Sequence, residues 1–152
     1  MLIEVWTKEK HSAGEEAGLI SRLAHAGLPV KAVRLSRLYK IEAPFPKNDF
    51  ARIAAELLTD KITERYSLSV RPGLKKLYRV EVWLKNSVTD VVGESVKEAI
   101  HDVLGKAPDN TRFGRGYYVA CGCESRLKRA VSTVLVNEIV NVYGVTRGKA
   151  KG

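Results

Sequence analysis

The sequence predicts an α+β protein of two similar halves, with helices packed on one face of a largely antiparallel sheet. The first observation is a repeated strand-like segment. Residues 3–8, Ile-Glu-Val-Trp-Thr-Lys, return as Val-Glu-Val-Trp-Leu-Lys at residues 80–85, an offset of 77 residues. The second is that residues 33–39 match residues 111–117 at an offset of 78, with two arginines and a tyrosine at equivalent places. Such offsets indicate an internal duplication, so we expect a pseudo-twofold axis between the halves.

The third observation is a helix face that occurs twice. Apolar residues at i, i+3, i+4, i+7 and i+8 lie on one side of a helix. This spacing is shown by Phe50, Ile53, Ala54, Leu57 and Leu58, and 77 residues later by Leu127, Ala130, Val131, Val134 and Leu135. The duplication predicts a first repeat at residues 1–71, a linker at 72–78, a second repeat at 79–147 and a basic tail at 148–152.

Each half is expected to run strand, helix, strand, helix, strand. In the first half, Ser12 to Glu15 form a capping-box pattern before a helix, and Gly27 supplies a left-handed stop after it. Asn48 is the expected cap of the second helix. The three strands are expected at residues 2–8, about 31–43 and about 63–70, and the second helix at 49–60.

The second half repeats this plan. Its first helix turns Val92, Val96, Ala99, Ile100 and Val103 inward and is expected to end near Gly105. Ser125 is the expected cap of the next helix, at 126–136, and Gly114 and Gly116 predict a bulge or bend in the middle strand. The strands are expected at 79–85, 111–122 and 138–146. A unit of about 76 residues has a thin core, so two fused copies make physical sense.

Composition narrows the function classes. The 152 residues are 45% hydrophobic and 28% charged, which is typical of a globular protein. The sequence has neither a long apolar run nor a secretory signal pattern, and only two cysteines, so we expect a cytoplasmic protein. The net charge is +9, from 26 basic and 17 acidic residues, and it is spread evenly over the two halves. An even spread favours nucleic-acid binding less than a clustered stripe would.

The residues that could carry catalysis form no recognisable set. His11, His25 and His101 have no nucleophile or catalytic partner near them at a useful spacing. Cys121 and Cys123 would share one face of a strand, but a structural zinc site needs four ligands and no second Cys or His pair exists. We therefore expect no catalytic residues, no metal and no cofactor, with the cysteines as small packing residues at a strand end.

The second half resembles PurS, the small non-catalytic subunit of phosphoribosylformylglycinamidine synthase. The resemblance lies in residues 80–85, in Val88, Asp90 and Gly93 ahead of an amphipathic helix, and in Thr-Arg-Phe-Gly-Arg-Gly-Tyr at 111–117. The first half looks like a more divergent copy. Its stretch from Gly27 through Tyr39, with Ala43 and Pro44, also resembles the N-terminal region of the large single-chain synthase. The whole chain is therefore similar to a tandem PurS. One departure is the family turn Gly-Val-x-Asp-Pro-x-Gly, which is altered at 87–93 and lost in the first half.

The resemblance implies an adaptor that is not an enzyme by itself. In the family, a PurS dimer bridges a PurL-type synthetase subunit and a PurQ-type glutaminase subunit and helps ammonia pass between them. A covalent tandem would replace that homodimer, and further self-association stays open. The reaction served is the ATP- and glutamine-dependent conversion of formylglycinamide ribonucleotide to the amidine, in purine biosynthesis. No membrane partner is expected.

The candidate partner contacts are the matched arginines and tyrosines, because both types are enriched at interface hot spots. They are Arg34, Arg37 and Tyr39 in the first half and Arg112, Arg115 and Tyr117 in the second. Two alternatives remain. Clustering of the four arginines on one exposed sheet face would favour a nucleic-acid-binding module, and a closed pocket between the halves would favour a small-molecule-sensing domain.

Overall fold

The computed structural model of the protein describes residues 1–147, which form six strands and four helices. The predicted tail at 148–152 lies outside the described residues. The strands are β1 (Leu2–Thr7), β2 (Val33–Glu42), β3 (Glu64–Ser67), β4 (Tyr78–Leu84), β5 (Asn110–Val119) and β6 (Asn141–Arg147). The helices are α1 (Ala13–His25), α2 (Lys47–Arg52), α3 (Val91–Leu104) and α4 (Glu124–Val134). A 3₁₀ turn at Glu9–His11 precedes α1, and α2 continues as π-helical turns over Ile53–Leu58.

All six strands join one antiparallel sheet in the order β3-β1-β2-β5-β4-β6. The centre of the sheet is the pairing of β2 with β5, which runs over ten residues from Val33 opposite Val119 to Glu42 opposite Asn110. With four helices beside an antiparallel sheet, the predicted α+β class is confirmed.

The helices cover one face of the sheet. Successive strand residues point to opposite faces, and the residues that pack under the helices keep this alternation. On the covered face lie Ile3, Val5, Tyr39, Ile41, Val80, Val82, Tyr117 and Val119, all buried. The other face carries the residues between them, and a part of it is crossed by the segment that connects β3 to β4.

Two separate hydrophobic cores lie between the helices and the sheet, and each takes residues from both ends of the sequence. The first core joins Leu19 and Leu23 of α1 to Val80 of β4 and Leu127 of α4. The second joins Ile100 of α3 to Ile3 of β1 and the helix at 47–58. Each core therefore depends on a helix from the other end of the chain, so the two predicted repeats are not independent folding units.

The predicted helix caps were partly wrong. Ser12 makes no side-chain capping bond; its hydroxyl lies instead within hydrogen-bond distance of two acceptors, the Glu9 carbonyl (3.1 Å) and the Glu16 carboxylate (3.0 Å). The N-cap of α2 is Pro46 and not Asn48, and the N-cap of α4 is Cys123 and not Ser125. The side chains of Pro46 and Cys123 make no capping hydrogen bond. The predicted helix ends at Gly27 and Gly105 are confirmed. The two glycines follow α1 and α3 with φ of 85° and 74°, in the left-handed region that favours glycine.

Of the bulge or bend predicted at Gly114 and Gly116, the bulge was wrong: β5 pairs with β2 through both glycines in one unbroken register, and with β4 as far as Gly114. The bend stays a prediction. Gly114 leaves space for a neighbour on the uncovered face of the sheet. A Cβ at Gly114 would lie 2.5 Å from the ring of Trp83, directly opposite on β4, so only glycine admits the ring there. At Gly116 a Cβ would lie 3.4 Å from Leu38, which is an ordinary packing distance.

Candidate functional site

The six predicted contact residues are divided between the two faces of the sheet. Arg37 and Arg115 lie opposite each other on β2 and β5, on the face that the helices cover. Arg34 and Arg112 lie on the other face, opposite Tyr118 and Lys40 respectively. The four arginines do not share one exposed face. The arrangement that would have favoured nucleic-acid binding is therefore not found.

The two predicted tyrosines belong to the interior. Tyr39 and Tyr117 are each 6% exposed, and they lie in different cores. Tyr39 also contacts Phe113, with ring centroids 5.3 Å apart. Interior packing leaves neither ring available to a partner, so the candidate contacts are reduced to the arginines.

Arg37 is held by groups of its own chain. Its guanidinium makes a bidentate ion pair with Glu64 of β3, and it also donates to the Leu58 carbonyl (2.9 Å) and from Nε to the Tyr39 hydroxyl (3.1 Å). The bond with Glu64 raises the pKa of Arg37 further. Burial opposes ionisation of Glu64, but the hydrogen bonds from Arg37 and from the Asp60 amide outweigh it and lower the Glu64 pKa. The guanidinium of Arg37 is therefore occupied by partners of its own chain and holds β2 to β3.

Arg115 differs from its neighbour Arg37. It is exposed, and within residues 1–147 no carboxylate or carbonyl accepts a hydrogen bond from its guanidinium. It lines a hollow of about 260 Å³ together with Glu15 and Arg37 from the first half and Phe113 from its own. Because Arg115 is exposed, this hollow between the halves is open to solvent, unlike the closed pocket expected of a sensing domain.

On the uncovered face, Arg34 and Arg112 also have partners. Arg34 lies 3.6 Å from the Glu16 carboxylate. Arg112 donates to the Asn86 side chain and to the Leu84 carbonyl, so it ties β5 to the turn that follows β4. Both residues are half-buried.

A buried ionic cluster, which sequence reasoning missed, joins both halves on the uncovered face. Glu4 of β1 is 0% exposed, and it accepts hydrogen bonds from Arg79 Nη1 (2.7 Å) and the Tyr118 hydroxyl (2.7 Å). Its Oε1 also accepts the backbone N–H of Arg71 (3.1 Å), and Arg79 Nε donates to Glu81 (2.9 Å). In the sequence, the buried Glu4 shows only as a charged residue between two apolar ones, Ile3-Glu4-Val5. A glutamate that faces solvent gives the same pattern, so the burial of Glu4 could not be predicted.

The electrostatics of this cluster follow from its burial. Burial raises the pKa of Tyr118, and the bond to the Glu4 carboxylate raises it further, so the phenol stays protonated and donates. Burial opposes the charge of Arg79, but the carboxylates of Glu81 and Glu4 outweigh it and raise the pKa. The hydrogen bonds and the ion pair of this cluster therefore join β1, β4 and β5.

The loop before α3 is fixed by Asp90, one of the residues that carry the PurS resemblance. Its carboxylate caps the helix by accepting the N–H of Gly93 (2.8 Å), and its other oxygen accepts the N–H of Phe113 on β5 (2.7 Å). A Cβ at Gly93 would lie 2.5 Å from the Thr111 carbonyl oxygen. The Asp-x-x-Gly spacing therefore docks the start of α3 against β5 at a distance that only glycine permits.

Two exposed isoleucines, which were not among the predicted contact residues, occupy matching turns. Ile62 is 77% exposed and Ile139 is 81% exposed. Asp60 Oδ1 accepts the N–H of Ile62 (2.8 Å), and Asn137 Oδ1 accepts the N–H of Ile139 (3.1 Å), so both turns are braced in the same way. The turns lead into β3 and β6, the two outermost strands of the sheet.

The cysteines and histidines form no cluster. Cys121 and Cys123 are free thiols, and Cys121 donates to the Cys123 carbonyl (3.2 Å) while packing against the first core. Within residues 1–147, no group of three or more His, Cys, Asp or Glu side chains is placed to hold a metal ion. In the same part of the chain, no helix has the length and apolar character needed to cross a membrane.

Comparison with known proteins adds no relative. No family model matches the chain, and no curated protein shows significant similarity to it. What the protein does must therefore be inferred from its own residues and geometry.

Proposed function

We propose that the protein is a non-catalytic adaptor of phosphoribosylformylglycinamidine synthase, which bridges the synthetase and glutaminase subunits and supports ammonia transfer between them. The resemblance to PurS is its starting point, and the strand order supports it. β1 lies between β2 and β3, and β4 lies between β5 and β6, so the order is the same from either edge of the sheet. Two PurS-like repeats around a pseudo-twofold axis would have this arrangement.

The observation that carries the proposal is the sharing of both cores between the repeats. Leu19 and Leu23 of the first repeat complete the core under the second, and Ile100 of the second completes the core under the first. Sharing of this kind makes one rigid body out of two copies. A rigid body holds two binding partners at a fixed separation, as transfer of ammonia between two active sites requires.

The exposed turns of Ile62 and Ile139 give such a body two equivalent contact points, since they lead into strands at opposite edges of the sheet. A single exposed isoleucine is common on protein surfaces, but two held by the same turn geometry favour repeated use. We assign a subunit contact to each turn. Arg115, exposed and free of partners within residues 1–147, is the third assigned contact.

The ten-residue pairing of β2 with β5 is where two separate PurS chains would have to associate. Covalent connection makes that association intramolecular, which removes its dependence on protein concentration. The tandem would thus act as one adaptor per synthetase, where two copies of a single-repeat PurS would be required.

Reconstitution with cognate synthetase and glutaminase subunits tests the proposal. The chain alone should show neither glutaminase nor synthetase activity. Its addition should raise glutamine-dependent turnover much more than ammonium-dependent turnover, because an adaptor couples two sites and leaves the synthetase chemistry unchanged. It should co-elute with the synthetase at one tandem per synthetase. Equal glutamine-dependent rates with and without the chain, and no co-elution, would remove the adaptor function.

Ile62→Asp and Ile139→Asp test the assigned contacts, each alone and then combined. Val91→Asp is the matched control, because Val91 is also a largely exposed apolar residue (69%) and an acid in the first turn of a helix is tolerated. Each isoleucine variant should weaken binding of one subunit by about tenfold, a change typical of an interface hot spot. If the variants bind as tightly as the control, the assignment of subunit contacts to Ile62 and Ile139 is wrong. The adaptor proposal itself is still tested by the reconstitution.

A further inference from the structure

A basic groove lies on the first half of the molecule, where the end of β1, strand β3 and the β3–β4 connection meet. Its volume is about 660 Å³, in the usual range of small-molecule and cofactor sites. The groove is lined by Trp6, Lys8, Lys10, Arg34, Arg65 and Arg71, and among residues 1–147 its lining contains one acid, Glu9. None of the adaptor contacts assigned above belongs to it.

The cations of the groove are poorly neutralised by the protein. Arg34 lies 3.6 Å from Glu16, and Lys8 donates to the carbonyl of Lys61 (3.3 Å). Within the described residues, Lys8, Lys10, Arg65 and Arg71 have no carboxylate at ion-pair distance. Four such charges around one concavity repel one another, and a bound polyanion would relieve that repulsion.

Arg71 is the fixed base of this groove. Its guanidinium stacks on the Trp6 ring, 4.7 Å from the centroid, and its backbone N–H is held by the buried carboxylate of Glu4 (3.1 Å). Arg65 lies directly opposite Trp6 on β3, so both arginines border the same ring.

The donors of Arg71 are mostly unused. Of the five N–H groups of a guanidinium, one makes a bond within residues 1–147, to the Leu35 carbonyl at 3.3 Å. Burial lowers the pKa of Arg71, which marks a cation that the protein has partly desolvated without a matching carboxylate. A fixed, half-buried and underused guanidinium suits an anion with several acceptor oxygens.

We propose that this groove binds the phosphate groups of a nucleotide-sized phosphorylated molecule, with Arg71 at the base and Lys8, Lys10 and Arg65 at the rim. A diphosphate or triphosphate has the charge to engage several of these cations at once, and the groove has the volume for it. The cations surround one concavity instead of forming a stripe along the surface, which favours a small ligand over a nucleic-acid strand.

Isothermal titration calorimetry of the full chain at low ionic strength tests this with inorganic pyrophosphate, ADP, ATP and a 12-nucleotide RNA. Pyrophosphate, ADP and ATP should each bind at one site per chain, more weakly as salt rises. The double variant Lys8→Gln/Arg65→Gln should lose about tenfold or more in affinity, since it removes two charged donors. The matched control Lys97→Gln/Arg129→Gln, on α3 and α4, removes the same charge away from the groove and should change affinity by less than about twofold.

Arg71→Gln is the second variant, with its fold checked by circular dichroism. It should abolish detectable ATP binding while the chain stays folded; if it unfolds the chain, the double variant decides. The proposal is overturned if pyrophosphate and ATP do not bind. It is also overturned if the groove variant and the control variant lose affinity equally, because net charge alone would then explain the binding. It is also overturned if the RNA binds where ATP does not, the result expected of a nucleic-acid site. None of these outcomes depends on the adaptor activity.

Discussion

Substituting Glu4 by Gln tests the buried ionic cluster, because it removes one charge and keeps the shape of the side chain. The glutamine can still accept one bond, but Arg79 loses its fully buried counter-charge and keeps only Glu81, whose side chain is 34% exposed. Removing one partner from a buried ion pair costs about 3–5 kcal/mol. Because Glu81 remains, we expect the lower end, about 3 kcal/mol, equal to a fall in Tm of about 6–12 °C for a chain of this size.

Urea unfolding followed by fluorescence measures this, since Trp6 and Trp83 lie on the same face of the sheet as Glu4. Glu81→Gln is the matched control: it makes the same change against the same arginine, at a half-exposed site where an ion pair contributes about 1 kcal/mol or less. The double variant Glu4→Gln/Arg79→Gln should recover part of the loss, because no unpaired buried charge is left. If Glu4→Gln costs no more than Glu81→Gln, the cluster does not tie the halves together.

Two further predictions concern local packing and pH. Gly93→Ala should lower the free energy of unfolding by about 1–3 kcal/mol, because its Cβ would meet the Thr111 carbonyl. The control Gly18→Ala lies in open space on α1 and should raise the free energy of unfolding by up to about 1 kcal/mol. Chemical denaturation of both variants checks this, and equal effects would contradict it. The Glu64 pKa is lowered in the folded state, so the stability from its pair with Arg37 is complete above the ordinary value of 4.5 and is lost as pH falls below it through the folded pKa. Glu64→Gln should therefore be less stable at neutral pH and should lose less stability on acidification; parallel losses in thermal melts from pH 7 to pH 3 would refute this.

The helices and strands were predictable where one local signal decides them. The apolar spacing at 50–58 and at 127–135 placed both second helices, and Gly27 and Gly105 marked where α1 and α3 end. The caps were not predictable, because a Ser or Asn near a helix start competes with other partners. Ser12 shows this: its hydroxyl lies within hydrogen-bond distance of the Glu9 carbonyl and the Glu16 carboxylate and makes no bond to a helix N–H.

The candidate site was less predictable because side-chain direction and long-range pairing decide it. Arg34 and Arg37 are three residues apart on β2, so they face opposite sides of the sheet although they belong to one motif. Tyr39 and Tyr117 fit an interface by type, yet the strand alternation places them under the helices. The partner of Glu4 is 75 residues away in Arg79, and no local pattern announces such a pair.

The connection between the halves takes part in the structure, which bears on why two repeats would stay fused. The carboxylate of Glu4 accepts three donors, from Arg79 on β4, Tyr118 on β5 and the backbone of Arg71 in the β3–β4 connection. Cutting the chain there would free the Arg71 amide and weaken the hold on a buried charge, besides restoring the concentration dependence of assembly. Arg71 also lines the basic groove and stacks on its Trp6 ring, so the segment that connects the two halves of the chain positions that groove as well.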